Sequence, residues 1–86
     1  MSMPTKQPES GALARTVSAE VRAAMGRHRV SGMQLAGLTG MSQNYIAKRL
    51  RDEAPFTVND IENICNALGE DPGQLWTNAV SHLGDK

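Results

Sequence analysis

Helix-start and helix-stop residues punctuate this chain at intervals too short for anything but small helices, and that punctuation constrains the fold more than any other feature. Ser31-Gly32-Met33-Gln34 is a capping box, in which the serine oxygen takes the Gln34 amide proton while the Gln34 side chain reaches back to the Ser31 amide. Val30, just before it, is placed to staple onto Leu35. Gly40 follows where a left-handed residue is wanted. Ser42 caps the next start, with Met41 and Ile46 as the staple pair, and that helix runs through Leu50 until Asp52 and Pro55 intervene. Thr57 caps a fourth, stapled by Phe56 and Ile61 and closed by Gly69, and Asp71-Pro72 opens a fifth. Upstream, Leu13, Val17, Val21, Ala24 and Met25 recur at helical spacing up to His28, marking an amphipathic first helix with Arg15, Arg22 and Arg27 on its wetter faces. No segment alternates with period two, so no strand is expected.

A chain of 86 residues allows one small domain and excludes a two-domain enzyme. With one Trp, one Tyr and one Phe, the core must come from Leu, Ile, Val, Met and Ala, an alphabet that suits helices. Residues 1–10, MSMPTKQPES, are polar and carry Pro4 and Pro8; they read as a flexible N-terminal arm, leaving 11–86 as the domain. The sole cysteine, Cys65, excludes an intrachain disulfide. No apolar run approaches the ~18 residues of a membrane span and no signal peptide is visible, so a soluble cytoplasmic protein is expected.

Chemistry has few candidates. His28 and His82 have no ligand partners at metal spacing, and Cys65 sits on the apolar side of its helix, where a buried thiol is expected. Asp52-Glu53 and Glu70-Asp71 fall at helix boundaries, where cap and turn roles account for them. No enzyme, cofactor, metal site or small-molecule substrate is expected.

Net charge is zero, yet the charges are partitioned. Residues 15–51 hold seven basic side chains against Glu20 alone, whereas residues 52–86 hold seven acids against Lys86 alone. This predicts a sided molecule, basic around the third helix and acidic opposite, with acids kept away from a polyanion.

Two short helices joined by a tight Gly-containing link form the helix-turn-helix arrangement that presents a second helix to the DNA major groove. Leu35-Ala36, Gly40-Met41-Ser42, Ile46, Ile61, Ile64, Ala67-Leu68-Gly69 and Leu75 resemble the lambda-repressor/Cro-like helix-turn-helix family over roughly residues 17 to 76. The resemblance implies an all-α, compact five-helix DNA-binding domain. Its partner would be double-stranded DNA, typically a palindromic operator bound by a homodimer, and the protein a phage or bacterial transcriptional regulator. Three positions depart from the family pattern. Gly32 stands where the family has Gln, Met25 and Leu50 stand where it has an internal Arg–Glu pair, and Arg29 replaces a Gly before the second helix. Joint replacement of a buried ion pair by apolar residues is tolerable, and packing of Met25 against Leu50 is expected.

At ~100° per residue, Gln43, Asn44, Ala47, Lys48 and Arg51 share one exposed arc of about 140°, with Ile46 and Leu50 facing the core. Gln43 and Asn44 offer paired donor and acceptor groups suited to adenine, and Lys48 can reach guanine. The family reads bases from these same positions. Phosphate contacts are expected from Arg27, Arg29, Ser31, the amides of Gly32 and Met33, and from Ser42, Tyr45, Arg49 and Arg51. On the fifth helix, Leu75 and Ala79 should close onto the first, while Trp76, Val80 and Leu83 form a candidate dimer interface. The rival reading is a protein-interaction module, or an antitoxin-type partner-binding protein, on the same scaffold.

Overall fold

The computed structural model describes residues 9–84 and contains five helices and, among the described residues, no strand. They are α1 (Ala12–His28), α2 (Gly32–Thr39), α3 (Gln43–Leu50), α4 (Val58–Leu68) and α5 (Pro72–His82). Each expected cap is formed. Ser31 Oγ accepts from the Gln34 amide at 3.1 Å and Gln34 Oε1 accepts from the Ser31 amide at 2.8 Å. Ser42 Oγ accepts from the Tyr45 amide at 3.0 Å, and Asp71 Oδ1 from that of Gly73 at 2.9 Å. Thr57 and Asp60 add a second capping box, with aspartate taking the part usually given to glutamate. Gly40 and Gly69 end α2 and α4 at φ 76° and 72°, the left-handed region open to a residue without Cβ.

The core is aliphatic. Val21, Leu35, Ile46, Ile64 and Cys65 are fully buried, and the staple residues Val30, Met41 and Phe56 pack on this cluster from its margin. α5 lies along α1 and buries Leu75 and Ala79, as the spacing predicts, while α2 rests on α3 and α4. Met25 is buried in the cluster and Leu50 packs against it, so both residues that replace the family's ion pair belong to the apolar layer. Burial of Cys65 pushes its thiol pKa up, and Glu70 and Asp71 push it further, so it stays protonated.

Two other helix ends, those of α1 and α3, close on a left-handed residue that is not glycine. At α1, the Arg29 amide donates to Gly26 O and that of Val30 to Met25 O, with Arg29 at φ 55°. At α3, the Asp52 amide donates to Arg49 O and that of Glu53 to Lys48 O, with Asp52 at φ 63°. Both are Schellman closures, and both hold an L-residue where glycine is preferred. The expected arm falls largely on residues 1–8, outside the described residues, but Ser10 is buried, with its amide 3.4 Å from Asp52 O. Packing against the domain therefore includes residues ahead of α1.

Candidate nucleic-acid interface

α3 has two chemically distinct sides. Gln43, Asn44, Lys48 and Arg51 are exposed, Ala47 is half-buried between them, and Ile46 is fully buried on the reverse. Short helices have little stability of their own, so the exposed side keeps its shape only because the reverse side is held.

That hold is partly polar and includes two residues expected at phosphates. Tyr45 donates its hydroxyl to Asp60 Oδ2 at 2.7 Å, tying α3 to the α4 cap. Burial, followed by this bond to an anion, raises the Tyr45 pKa. The Arg49 guanidinium sits 3.4 Å from the centroid of the Tyr45 ring and donates to the Tyr45 carbonyl at 3.2 Å. Arg49 is only 9% exposed. Tyr45 and Arg49 thus serve the inner side of the helix rather than flanking the outer one.

Around α3, the first-turn amides of Gly32 and Met33 have no helical carbonyl to meet, and Ser31 stands exposed beside them. Gly32 lies against the end of α3: a Cβ there would meet Leu50 Cδ1 at 4.0 Å. A small side chain fits, so the missing Gln is not dictated by lack of room at Cβ. Arg29 projects from the exposed α1–α2 turn and Ser42 from the α2–α3 turn.

The expected separation of charge is corrected by the ion pairs. Arg27 and His28 both meet Glu70, at 3.0 and 2.7 Å, Arg51 meets Glu53 at 2.6 Å, and Arg15 and Arg22 lie 3.9 and 3.8 Å from Asp52. Folding returns the α4–α5 link to the end of α1 and the α3–α4 turn to its middle, so acids remote in sequence land beside the bases. Among the described residues, Arg29 and Lys48 make no ion pair. The basic character of this side is concentrated at those two residues rather than spread across it. Two pairs still carry a shift. Arg27, then His28, hold Glu70 below the usual carboxylate range, and Arg51 does the same for Glu53.

A polar contact that sequence reasoning missed lies at the other end of α3, where Ser18 and Arg22 of α1 reach the carbonyls of Arg49 and Leu50. Its signal was a serine among the core-facing positions of α1.

Away from α3, Trp76, Val80 and Leu83 are 46%, 44% and 42% exposed along one stripe of α5. Trp76 borders a groove of about 580 Å³ walled by Leu13, Val17, Phe56, Ile61 and Pro72. No helix among the described residues is long and apolar enough to cross a membrane, and none of them form a group of three metal-binding side chains.

A helix-turn-helix domain model matches residues 16–75, which span α2, the turn and α3 together with the helices that support them. The chain belongs to this helix-turn-helix family. No protein with a curated description matches it. Among solved structures, the clp gene regulator ClgR from C. glutamicum superposes with a TM-score of 0.79 at 18% identity, covering 90% of this chain and 100% of that one. A variant of the restriction-modification controller protein C.Esp1396I gives 0.75 at 18% identity, covering 85% and 97%. The hypothetical transcription factor NHTF from Neisseria gives 0.69 at 23% identity, covering 87% and 84%. At these identities the likeness extends to the fold of the helix-turn-helix chain.

Proposed function

We propose that this protein is a sequence-specific, double-stranded-DNA-binding transcriptional regulator of phage or bacterial type. α3 enters the major groove of an operator. The observation that carries this reading is the outer side of α3, where Gln43, Asn44 and Lys48 are exposed on a helix anchored along its reverse face. Gln43 and Asn44 pair with adenine edges and Lys48 with guanine. Arg29, Ser31, Ser42 and the amides of Gly32 and Met33 hold the backbone, the two amides at the positive end of the α2 dipole. Arg27 and Arg51 exchange their carboxylate partners for phosphates, because ion pairs at the surface are held only weakly. The protein acts by occupying an operator in a bacterial cytoplasm, and the gene regulator ClgR and the hypothetical transcription factor NHTF among its structural neighbours support the regulatory part of that reading.

A single module of this size buries only ~600–1,000 Å² on DNA, which favours a homodimer on a palindromic site. The exposed Trp76, Val80 and Leu83 stripe supports that assembly. The same stripe and its groove also favour a second reading, a partner-binding module, which would bind all DNA sequences weakly with a shallow salt slope. A binding selection on random duplexes separates the two. The regulator yields a defined motif with twofold symmetry, and the partner-binding module yields none.

A further inference from the structure

The last carbonyls of a helix have no intrahelical donor and carry the negative end of its dipole. In α3, two of them are met from α1. Ser18 Oγ donates to the Arg49 carbonyl at 3.1 Å, while Arg22 Nη1 donates to the Leu50 carbonyl at 2.8 Å and to Ser18 Oγ at 2.9 Å. The same Nη1 lies 3.8 Å from Oδ2 of Asp52, the left-handed residue that closes α3. Ser18 is 2% exposed and carries one proton, so its bonding has one direction: it accepts from the guanidinium and donates to the carbonyl.

This clasp differs in kind from the packing beside it. Aliphatic contacts are non-directional, and a helix seated on Ile46 and Leu50 alone can slide or roll by fractions of an ångström. Hydrogen bonds to two successive carbonyls fix both the height of the helix end and its rotation. Base reading requires that control, since functional side chains must sit within ~0.5 Å of their working positions.

We infer that Ser18 and Arg22 are positioning residues for sequence recognition: they set the pose of α3 on α1, and hence the aim of Gln43, Asn44 and Lys48, without touching bases. This rests on α3 being the reader. Arg22 is partly exposed, so the test must separate positioning from phosphate contact and from bulk stability.

The variants are Ser18→Ala, which removes one hydroxyl from a buried site, and Arg22→Gln. For each, affinity is measured on the duplex selected by wild type and on its single-mismatch versions, across a salt series, alongside the unfolding midpoint. Positioning predicts that discrimination against mismatches falls about fivefold or more, while the salt slope on the selected duplex stays unchanged. Preserved discrimination with a slope reduced by about one marks a phosphate contact and overturns the inference. So does an equal loss on every duplex that tracks a lowered unfolding midpoint. A DNA-free readout accompanies these: amide exchange at residues 47–52 should accelerate by about tenfold in both variants while α4 is unaffected, and unchanged exchange contradicts the clasp. Wild type selecting no sequence defeats the reading of α3. Wild-type selectivity untouched by Ser18→Ala defeats only the positioning role.

Discussion

Lys48 and Arg49 are adjacent, carry the same charge and lie on the same short helix, yet they have opposite fates. Lys48 is exposed and, among the described residues, makes no ion pair, whereas Arg49 is folded under the helix against the Tyr45 ring. The difference is a rotation of ~100°. Charge alone does not make a residue part of a DNA-facing surface; its angle on the helix decides whether it is available to a partner or consumed in holding the helix.

The inner side should dominate stability. Ile46→Ala removes a fully buried side chain and is expected to cost about 2–5 kcal/mol, which chemical denaturation would read as a large loss of midpoint with little change of slope. Arg49→Ala, which gives up the ring contact and a charged hydrogen bond, should cost about 1–3 kcal/mol in the same measurement. Lys48→Ala should stay within about 0.5 kcal/mol of wild type. Equal stability losses for Lys48→Ala and Arg49→Ala would show that Arg49 does not hold the helix.

Arg29 is at once exposed and strained. Arg29→Gly relieves a left-handed L-residue and should raise stability by about 1 kcal/mol, while lowering affinity on every duplex and reducing the salt slope by about one. A destabilised Arg29→Gly would show that the turn holds no strain.

A smaller effect is expected on pH dependence. Glu70 is held below its ordinary value by Arg27 and His28, so its stabilising contribution is present above the usual carboxylate range and is lost as pH falls through the depressed folded value. Wild type should exceed Glu70→Gln by less than about 1 kcal/mol near pH 6, with the gap closing in the acid range. A gap that widens toward acid would reverse the assignment.

Local features of this fold were legible in the sequence because caps, staples and glycine stops act within five residues. Ser31 with Gln34, Ser42, Asp71 and Gly69 each took the role their spacing implies. The outer side of α3 was legible for the same reason, being a matter of angle. That arithmetic also places Tyr45 and Arg49 outside the exposed arc, in line with their contacts on the inner side of the helix. The contacts that α1 makes with the rest of the domain were not legible. Arg27 and Glu70 are separated by 43 residues and Arg22 and Leu50 by 28, and no local rule relates them. Packing of α1 against the rest of the domain brings Glu70 and Asp52 to its bases, while Arg51 meets Glu53 two residues on, which is why a partition clear along the chain is largely neutralised in space.

Whether α3 reads sequence is decided by a competition measurement with Lys48→Ala on the duplex selected by wild type and on versions with each base pair replaced in turn. With Lys48 reading a base, the unfolding midpoint stays unchanged and discrimination worth about 1–3 kcal/mol is lost at one base pair of each half-site. Uniform weakening at every position, with wild-type selectivity retained throughout, would contradict α3 as the sequence reader.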